Sequence, residues 1–342
     1  MNKLKKWISL ALFTSIISGV IVVFLTFDSG TVEALLGIRP EFILFGIFLH
    51  AFSYLIWGMR IRVLCNALGY DISVTKTVEL VASSVFAASI TPSSMGGEPV
   101  RIHLLNREAV PFGKASAIIF GERLLDGILL LSFAPLSIYL LRDTLAKFGF
   151  GSILIVVEVA SLILLIFVLY GIWNPGPIKS ISYFLIKKIA PLFGDVVDAK
   201  VEYIYNKLNH EFDNFRSGIM LLLKGCRSGI ISSICLTLLF WLVEFSIIYV
   251  ILLGLNQNVD ILKMFAAQVV MVLVLLIPAT PGSSGLAEFG ATTIFSVFTA
   301  SSVLGITVIA WRALTFYMNL IVGSFVSFKI LKDTEFIKNL LK

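Results

Sequence analysis

Seven charged residues stand in or beside otherwise apolar sequence: Glu98, Arg101, Glu122, Arg123, Asp126, Glu288 and Arg312. A charge at the centre of a lipid-spanning helix costs about 2.5–3.5 kcal/mol on insertion scales, so such groups are expected to face a partner, a ligand or water. Guanidinium groups suit phosphate, which they can grip with two parallel hydrogen bonds; carboxylates suit cationic or hydroxylated groups, or a transferable proton. Glu122 and Asp126 fall one helical turn apart on one face, with Arg123 beside them. The same residues also have a purely structural use, in which Glu98–Arg123 and Glu288–Arg312 are ion pairs that pin two chain reversals to the helices that follow them. The two uses are compatible.

The segments that must position these charges repeat. Thr91-Pro92-Ser93-Ser94-Met95-Gly96-Gly97-Glu98 has a counterpart in Thr280-Pro281-Gly282-Ser283-Ser284-Gly285-Leu286-Ala287-Glu288. Each copy follows an apolar segment, delivers one glutamate, and is followed about two dozen residues later by an arginine, Arg123 or Arg312. Pro92 and Pro281 lack an amide donor and disfavour helical geometry in Thr91 and Thr280 before them. Gly96, Gly97, Gly282 and Gly285 permit a tight reversal and close approach by a ligand. A helix restarting after such a break presents free amides, which favour phosphate. Matching breaks in two halves of a hydrophobic chain are the sequence signature of a transporter binding site.

Composition sets the solvent. Of 342 residues 58% are hydrophobic and 14% charged, with a mean hydropathy of +0.97. A soluble domain carries about 25% charged residues, so this chain is built for lipid. Its net charge of +6 belongs to loops on one side of a membrane and does not call for nucleic acid. The three cysteines (Cys65, Cys226, Cys235) and three histidines (His50, His103, His210) are scattered, which predicts neither a disulfide framework nor a metal site. Nucleotide-binding glycine motifs are absent. The expectation is no cofactor, no metal and no catalytic residue. Met1–Phe27 is too long in its apolar run for a signal peptide and reads as a retained first span.

The predicted fold is an all-α polytopic membrane protein of about six full spans and two re-entrant helical hairpins arranged as inverted repeats. The spans are Trp7–Phe27, Phe42–Met59, Ala115–Leu141, Ser152–Trp173, Gly229–Leu253 and Val303–Ile330. Val74–Ile90 and Ile261–Ala279 run into the repeated motifs and form the first arms of the hairpins. Lys3, Lys5 and Lys6 place the N-terminus in the cytoplasm. Only re-entrant hairpins keep the basic segment Asn174–Arg227 and the tail with Lys329, Lys332, Lys338 and Lys342 on that same side. Two breaks of opposite orientation then share one polar chamber near the midplane. The whole of 1–342 is one domain, with a first half about 1–173, a cytoplasmic amphipathic connector about 174–227 and a second half about 228–342. Within the connector, Val201, Ile204, Tyr205, Leu208, Phe212 and Phe215 recur at helical spacing, as in a helix on the membrane surface that covers the ends of spans or, alternatively, recruits lipid headgroups; Ile178–Phe193 is similar. Weaker candidates are Glu158 and Glu244 in apolar spans, and His50, expected against Tyr54. Arg60 and Arg62 are expected to snorkel to the interface beside Trp57.

These motifs carry a resemblance. Thr91-Pro92-x-x-x-Gly96-Gly97-Glu98-x-x-Arg101, Glu122-Arg123-x-x-Asp126 and Pro278-x-x-Pro281-Gly282-x-x-Gly285-x-x-Glu288 resemble the lysylphosphatidylglycerol synthase transmembrane family, also called the flippase-like domain family. Trp57-x-x-Arg60, Leu64, Gly69 and Arg312 fit the same pattern. The resemblance implies a stand-alone lipid-handling module without the synthase domain of the fused relatives. Those relatives imply movement of aminoacylated phosphatidylglycerol; some archaeal ones imply sugars on polyprenyl-phosphate carriers. The expected function is an integral lipid translocase for an anionic or aminoacylated phospholipid or a polyprenyl-phosphate-linked lipid. The lipid-binding residues would be the seven named above. The alternatives are a polyprenyl-phosphate-dependent glycosyltransferase and an accessory subunit of a lipid-modifying synthase. Expected partners are the lipid itself and a separate lipid-modifying enzyme, with no nucleic acid and with room for a homo-oligomer. The expected location is the plasma membrane, multi-pass, with both termini cytoplasmic.

Overall fold

The computed structural model describes residues 2–91, 96–147, 149, 151–174, 198–224, 227–275 and 283–332. Expectations concerning Pro92, Pro278, Thr280, Pro281, Gly282, Ile178–Phe193, Cys226, Lys338 and Lys342 lie outside the described residues. Among those described, every regular element is helical, as an all-α polytopic membrane protein requires.

Helix α1 (Asn2–Thr26) ends where Asp28 and Thr31 exchange hydrogen bonds. The Asp28 amide donates to the Thr31 hydroxyl at 3.0 Å, and the Thr31 amide donates to the Asp28 carboxylate at 3.1 Å. This reciprocal cap starts α2 (Ser29–Leu36) at 115° to the helix before it. Helix α3 (Pro40–Ala67) opens on a proline, whose missing amide costs nothing at a helix start. Helix α10 (Arg227–Gly254) runs antiparallel along α3. The Arg39 amide donates to the Gly254 carbonyl at one end (3.0 Å), and Trp57 packs on Phe240 towards the other (5.3 Å).

Both expected reversals are helical hairpins. In the first, Ser73 caps α4 (Val74–Ile90), and Thr91 ends it while its hydroxyl accepts the Gly96 amide at 2.9 Å. Helix α5 (Gly97–Arg107) then folds back so closely that a Cβ on Gly97 would lie 3.1 Å from the Ser84 carbonyl. In the second, α11 (Ile261–Leu275) and α12 (Leu286–Phe295) pack with Gly290 against Val274 and Met271. Gly285 starts α12 at φ +87°, a left-handed conformation that a Cβ would strain.

The remaining elements are α6 (Phe112–Leu140), α7 (Arg142–Lys147), α8 (Gly151–Trp173), α9 (Asp198–Lys224) and α13 (Ser301–Arg312). After α13 a π-helical turn (Ala313–Tyr317) leads into α14 (Met318–Lys332). The first hairpin opens towards the end of the bundle where Lys329 meets Glu79 at 2.8 Å. The second opens at the other end, where Leu262 lines a groove with Leu136 and Leu140. The hairpins therefore enter from opposite ends, the inverted arrangement expected.

Among the described residues, four helices are long and apolar enough to cross a membrane: Pro40–Ala67, Ser152–Gly171, Ser228–Gly254 and Ser301–Ile330; the bent pair α1–α2 would make a fifth. Helix α6 has the length, at 29 residues, but carries Lys114, Glu122, Arg123 and Asp126. Lipid-facing bulk is visible on α8, where Ile163, Ile166 and Phe167 are exposed.

The connector helix α9 docks rather than floats. The Gly113 amide donates to the Glu211 carboxylate at 2.7 Å, and Phe215 meets Phe120 edge-on at 5.5 Å. Ala117 and Ile219 are buried between the two helices. That agrees with a helix covering the ends of spans.

Candidate functional site

The first polar centre is built on α3, α5 and α6. Arg60, about two turns before the end of α3 at Ala67, is completely buried. Its guanidinium donates to Asp126 Oδ1 (2.6 Å) and Glu122 Oε1 (2.8 Å), so the one-turn spacing of those carboxylates is what grips it. Glu122 Oε1 also accepts from Arg101 Nη1 (2.7 Å) and from the Trp57 indole (2.8 Å). Arg101, likewise fully buried, reaches back to Glu98 at 3.4 Å. Arg123 lies 3.0 Å from Glu98 and 3.3 Å from Asp126.

Within this centre burial is uneven. Arg60, Arg101 and Glu122 have no exposed side-chain surface, whereas Arg123 and Glu98 keep 40% and 36%. Three guanidinium groups face three carboxylates, so the centre is neutral overall and only the Glu98–Arg123 pair is reachable from outside. Aromatic rings wall it. Trp57 lies under Arg101 and Arg123, Phe240 under Arg60, and the Trp241 indole donates to Asp126 Oδ1 at 3.0 Å. Glu122 Oε2 and the Nε atoms of Arg60 and Arg101 have no hydrogen-bond partner among the described residues.

The second centre joins α1, α12 and α13. Glu288, in the first turn of α12, accepts the Gly285 amide at 2.5 Å and so caps its own helix. Its other oxygen takes Arg312 Nε (2.9 Å) and the Ser15 hydroxyl (2.7 Å). Arg312 further reaches Ser284 (3.2 Å), and Tyr317 contacts Ser15 (3.1 Å). A small cavity of about 160 Å³ opens beside this pair, lined by Ser15, Gly19, Val20, Ile309 and Tyr317.

A family model described as the lysylphosphatidylglycerol synthase TM region matches residues 7–323. The chain belongs to this family. A UPF0104 membrane protein of Archaeoglobus fulgidus is 33% identical over 290 residues, which covers 84% of this chain and 86% of that one. Two UPF0104 membrane proteins of Methanothermobacter thermautotrophicus are 25% identical over 271 residues (78% and 76% of the two chains) and 20% identical over 290 residues (84% of each). The protein is thus a membrane-embedded member of the lysylphosphatidylglycerol synthase TM-region family.

In this family member all seven expected site residues are in polar contacts, which among the described residues fall into two groups. Glu98, Arg101, Glu122, Arg123 and Asp126 converge in the first centre; Glu288 and Arg312 form the second. The division follows from the hairpins, each of which ties its glutamate to the helix that comes next in sequence. Both ion pairs expected on structural grounds, Glu98–Arg123 and Glu288–Arg312, are present. Thr91, Gly96, Gly97 and Gly285 shape the breaks as expected.

Arg60 corrects the sequence reading. It does not snorkel to an interface but is the buried hub of the first centre; only Arg62 behaves as expected, half-exposed beside Asp71 at 3.2 Å. Trp57 and Arg60 fall on one helix face and Arg62 on another, which separates the two arginines but does not name the partners of Arg60. Trp241 was also missed, because a tryptophan in an apolar span carries no mark of its indole partner. His50 packs edge-on against Tyr54 (5.1 Å) as expected, and its ring also meets Asn319 and Glu244.

Proposed function

We propose that the protein is a flippase-like lipid translocase. Its substrate would be an anionic or aminoacylated phospholipid or a polyprenyl-phosphate-linked lipid. The observation that carries this reading is the half-exposed Glu98–Arg123 pair resting on a buried, charge-balanced network. A phosphate arriving at Arg123 frees Glu98, which can then take a headgroup cation or a proton. The exchange preserves neutrality, so the buried network need not reorganise at each cycle. The unpartnered atoms of Glu122, Arg60 and Arg101 add polar capacity behind it.

The tail has a compatible surface. An apolar groove of about 290 Å³, lined by Phe133, Leu136, Trp241, Leu242 and Phe265, connects to the first centre through the Trp241–Asp126 hydrogen bond. A headgroup at Arg123 can therefore sit in the protein while its chain stays in hydrocarbon. The inverted hairpins supply the second half of the path, with the buried Arg312–Glu288 pair as its charges. On this reading 1–342 acts as one unit in the plasma membrane with both termini cytoplasmic, serving a separate lipid-modifying enzyme.

The test is reconstitution into vesicles that carry headgroup-labelled anionic phospholipid or polyprenyl phosphate, scoring leaflet accessibility over time. Faster equilibration than in empty vesicles, lost in Arg123→Ala and Glu288→Gln while both remain inserted, is the expected result. Normal movement in either well-folded variant refutes the site. A second reading, an accessory subunit of a lipid-modifying synthase, is favoured by the completeness of the ion pairing. It predicts no lipid exchange, and loss of the partner enzyme's activity in the absence of this chain.

A further inference from the structure

Between the two polar centres lies a third polar contact that lipid binding does not use. His50 is buried on α3, and three groups face its ring: Glu244 from α10, Asn319 from α14 and Tyr54 from its own helix. Nε2 is 2.9 Å from Asn319 Oδ1, which also accepts the Tyr54 hydroxyl. An amide oxygen has two lone pairs and no hydrogen to give, so with Oδ1 facing the ring Nε2 is the donor and carries the hydrogen. Nδ1 then faces Glu244 Oε1 at 3.6 Å, with no hydrogen-bond partner among the described residues.

That arrangement needs one more proton. A neutral imidazole with its hydrogen on Nε2 would aim the Nδ1 lone pair at an ionised carboxylate, and among the described residues neither group makes another ion pair. With a proton on Nδ1 or on the carboxyl, the contact becomes attractive. Glu244 keeps 20% of its side chain exposed, which gives that proton a way in and out. We propose that His50 and Glu244 form a proton-binding site that couples lipid movement to pH. The proton is taken from water through Glu244, held between Oε1 and Nδ1, and returned to water by the same pair.

The structure also places a responsive element next to it. The π-helical turn Ala313–Tyr317 lies between Arg312 and Asn319 on one continuous helical run. Such turns are weak points in a helix and recur at functional sites. Asn319 on one side of the turn holds His50, while Tyr317 within it contacts Ser15, the partner of Glu288. Loss of the proton would push Glu244 and His50 apart and pull on Asn319. The turn can pass that displacement to the Glu288–Arg312 pair.

The coupling rests on the proposed lipid translocation, so two readouts are needed. The first is lipid movement in proteoliposomes across about pH 5 to 8, the range in which histidine changes charge. Wild type should change several-fold, and His50→Gln and Glu244→Gln should be flat. Lipid movement with an unaltered pH profile in His50→Gln overturns the coupling while leaving translocation standing. The second is NMR of protein labelled at its histidines, of which there are three, with His50 assigned by its loss in His50→Gln. A His50 signal that titrates in this range and shifts in Glu244→Gln supports the site even if no tested lipid moves. A signal constant across the range, or indifferent to Glu244→Gln, overturns it.

Discussion

Replacing Glu122 by Gln should cost the protein far more than replacing Glu98. Glu122 Oε1 is the shared acceptor for Arg60 (2.8 Å), Arg101 (2.7 Å) and Trp57 (2.8 Å), and all of its surface is buried. Glutamine preserves the shape but removes the charge, leaving two buried guanidinium groups with Asp126 for one and only Glu98, at 3.4 Å, for the other. Breaking a buried pair by removing one partner costs about 3–5 kcal/mol. At about 2 °C per kcal/mol for a chain of this size, the melting midpoint should fall by about 6–10 °C. Glu98→Gln removes a group that keeps 36% exposure, so solvent screening holds its cost to about 1 kcal/mol or less. The assay is tryptophan-fluorescence melting in lipid nanodiscs. Arg101→Met combined with Glu122→Gln removes the stranded cation and should recover part of the loss, which a double-mutant cycle measures directly. Two results would refute the reasoning: a Glu122→Gln midpoint within about 2 °C of wild type, or a double variant no better than the single one.

Three further outcomes follow from the same geometry. Gly285→Ala should destabilise by about 1–2 kcal/mol, because φ +87° is a left-handed conformation, whereas Gly127→Ala, with open space at its Cβ, should be neutral or slightly stabilising; melting of the two variants compares them. Arg123→Lys should keep the melting midpoint near wild type but slow lipid movement, since lysine offers a point charge where arginine offers a planar fork; the vesicle assay reads it. Trp241→Phe should leave the apolar groove filled yet cost about 1–3 kcal/mol through the lost hydrogen bond to buried Asp126, which the same melts would detect.

Much of this was legible because lipid makes charges conspicuous. In a chain with 14% charged residues, each one inside an apolar run is a statement that a partner exists. Spacing was enough to put Glu122 and Asp126 on one helix face, and the repeated Gly-rich breaks were enough to predict two hairpins. What spacing cannot give is the partner across helices. Arg60 reads as a terminal residue of α3 because Arg62 follows it and Gly69 ends the segment. Only the approach of α6 turns it into a hub. For the same reason His50 showed its neighbour Tyr54 on its own helix but not Glu244 on α10 or Asn319 on α14, both more than 190 positions away.

The two halves also differ in a way the repeat conceals. In both, a glutamate in the first turn of a hairpin's second arm pairs with an arginine on the next helix, at 3.0 and 2.9 Å. In the first half that pair is half-exposed and a separate buried network supports it; in the second half the pair itself is buried, with Glu288 spending one oxygen on capping its own helix. An inverted repeat that alternates access must exchange these environments, so that one pair closes as the other opens. On the proposed translocation, the asymmetry between the pairs corresponds to one state of a cycle, the one open at Glu98–Arg123. Cysteine accessibility beside each pair distinguishes this from a fixed difference: labelling next to Arg312 should rise as labelling next to Arg123 falls when lipid is supplied, and parallel changes at both sites would rule out alternation.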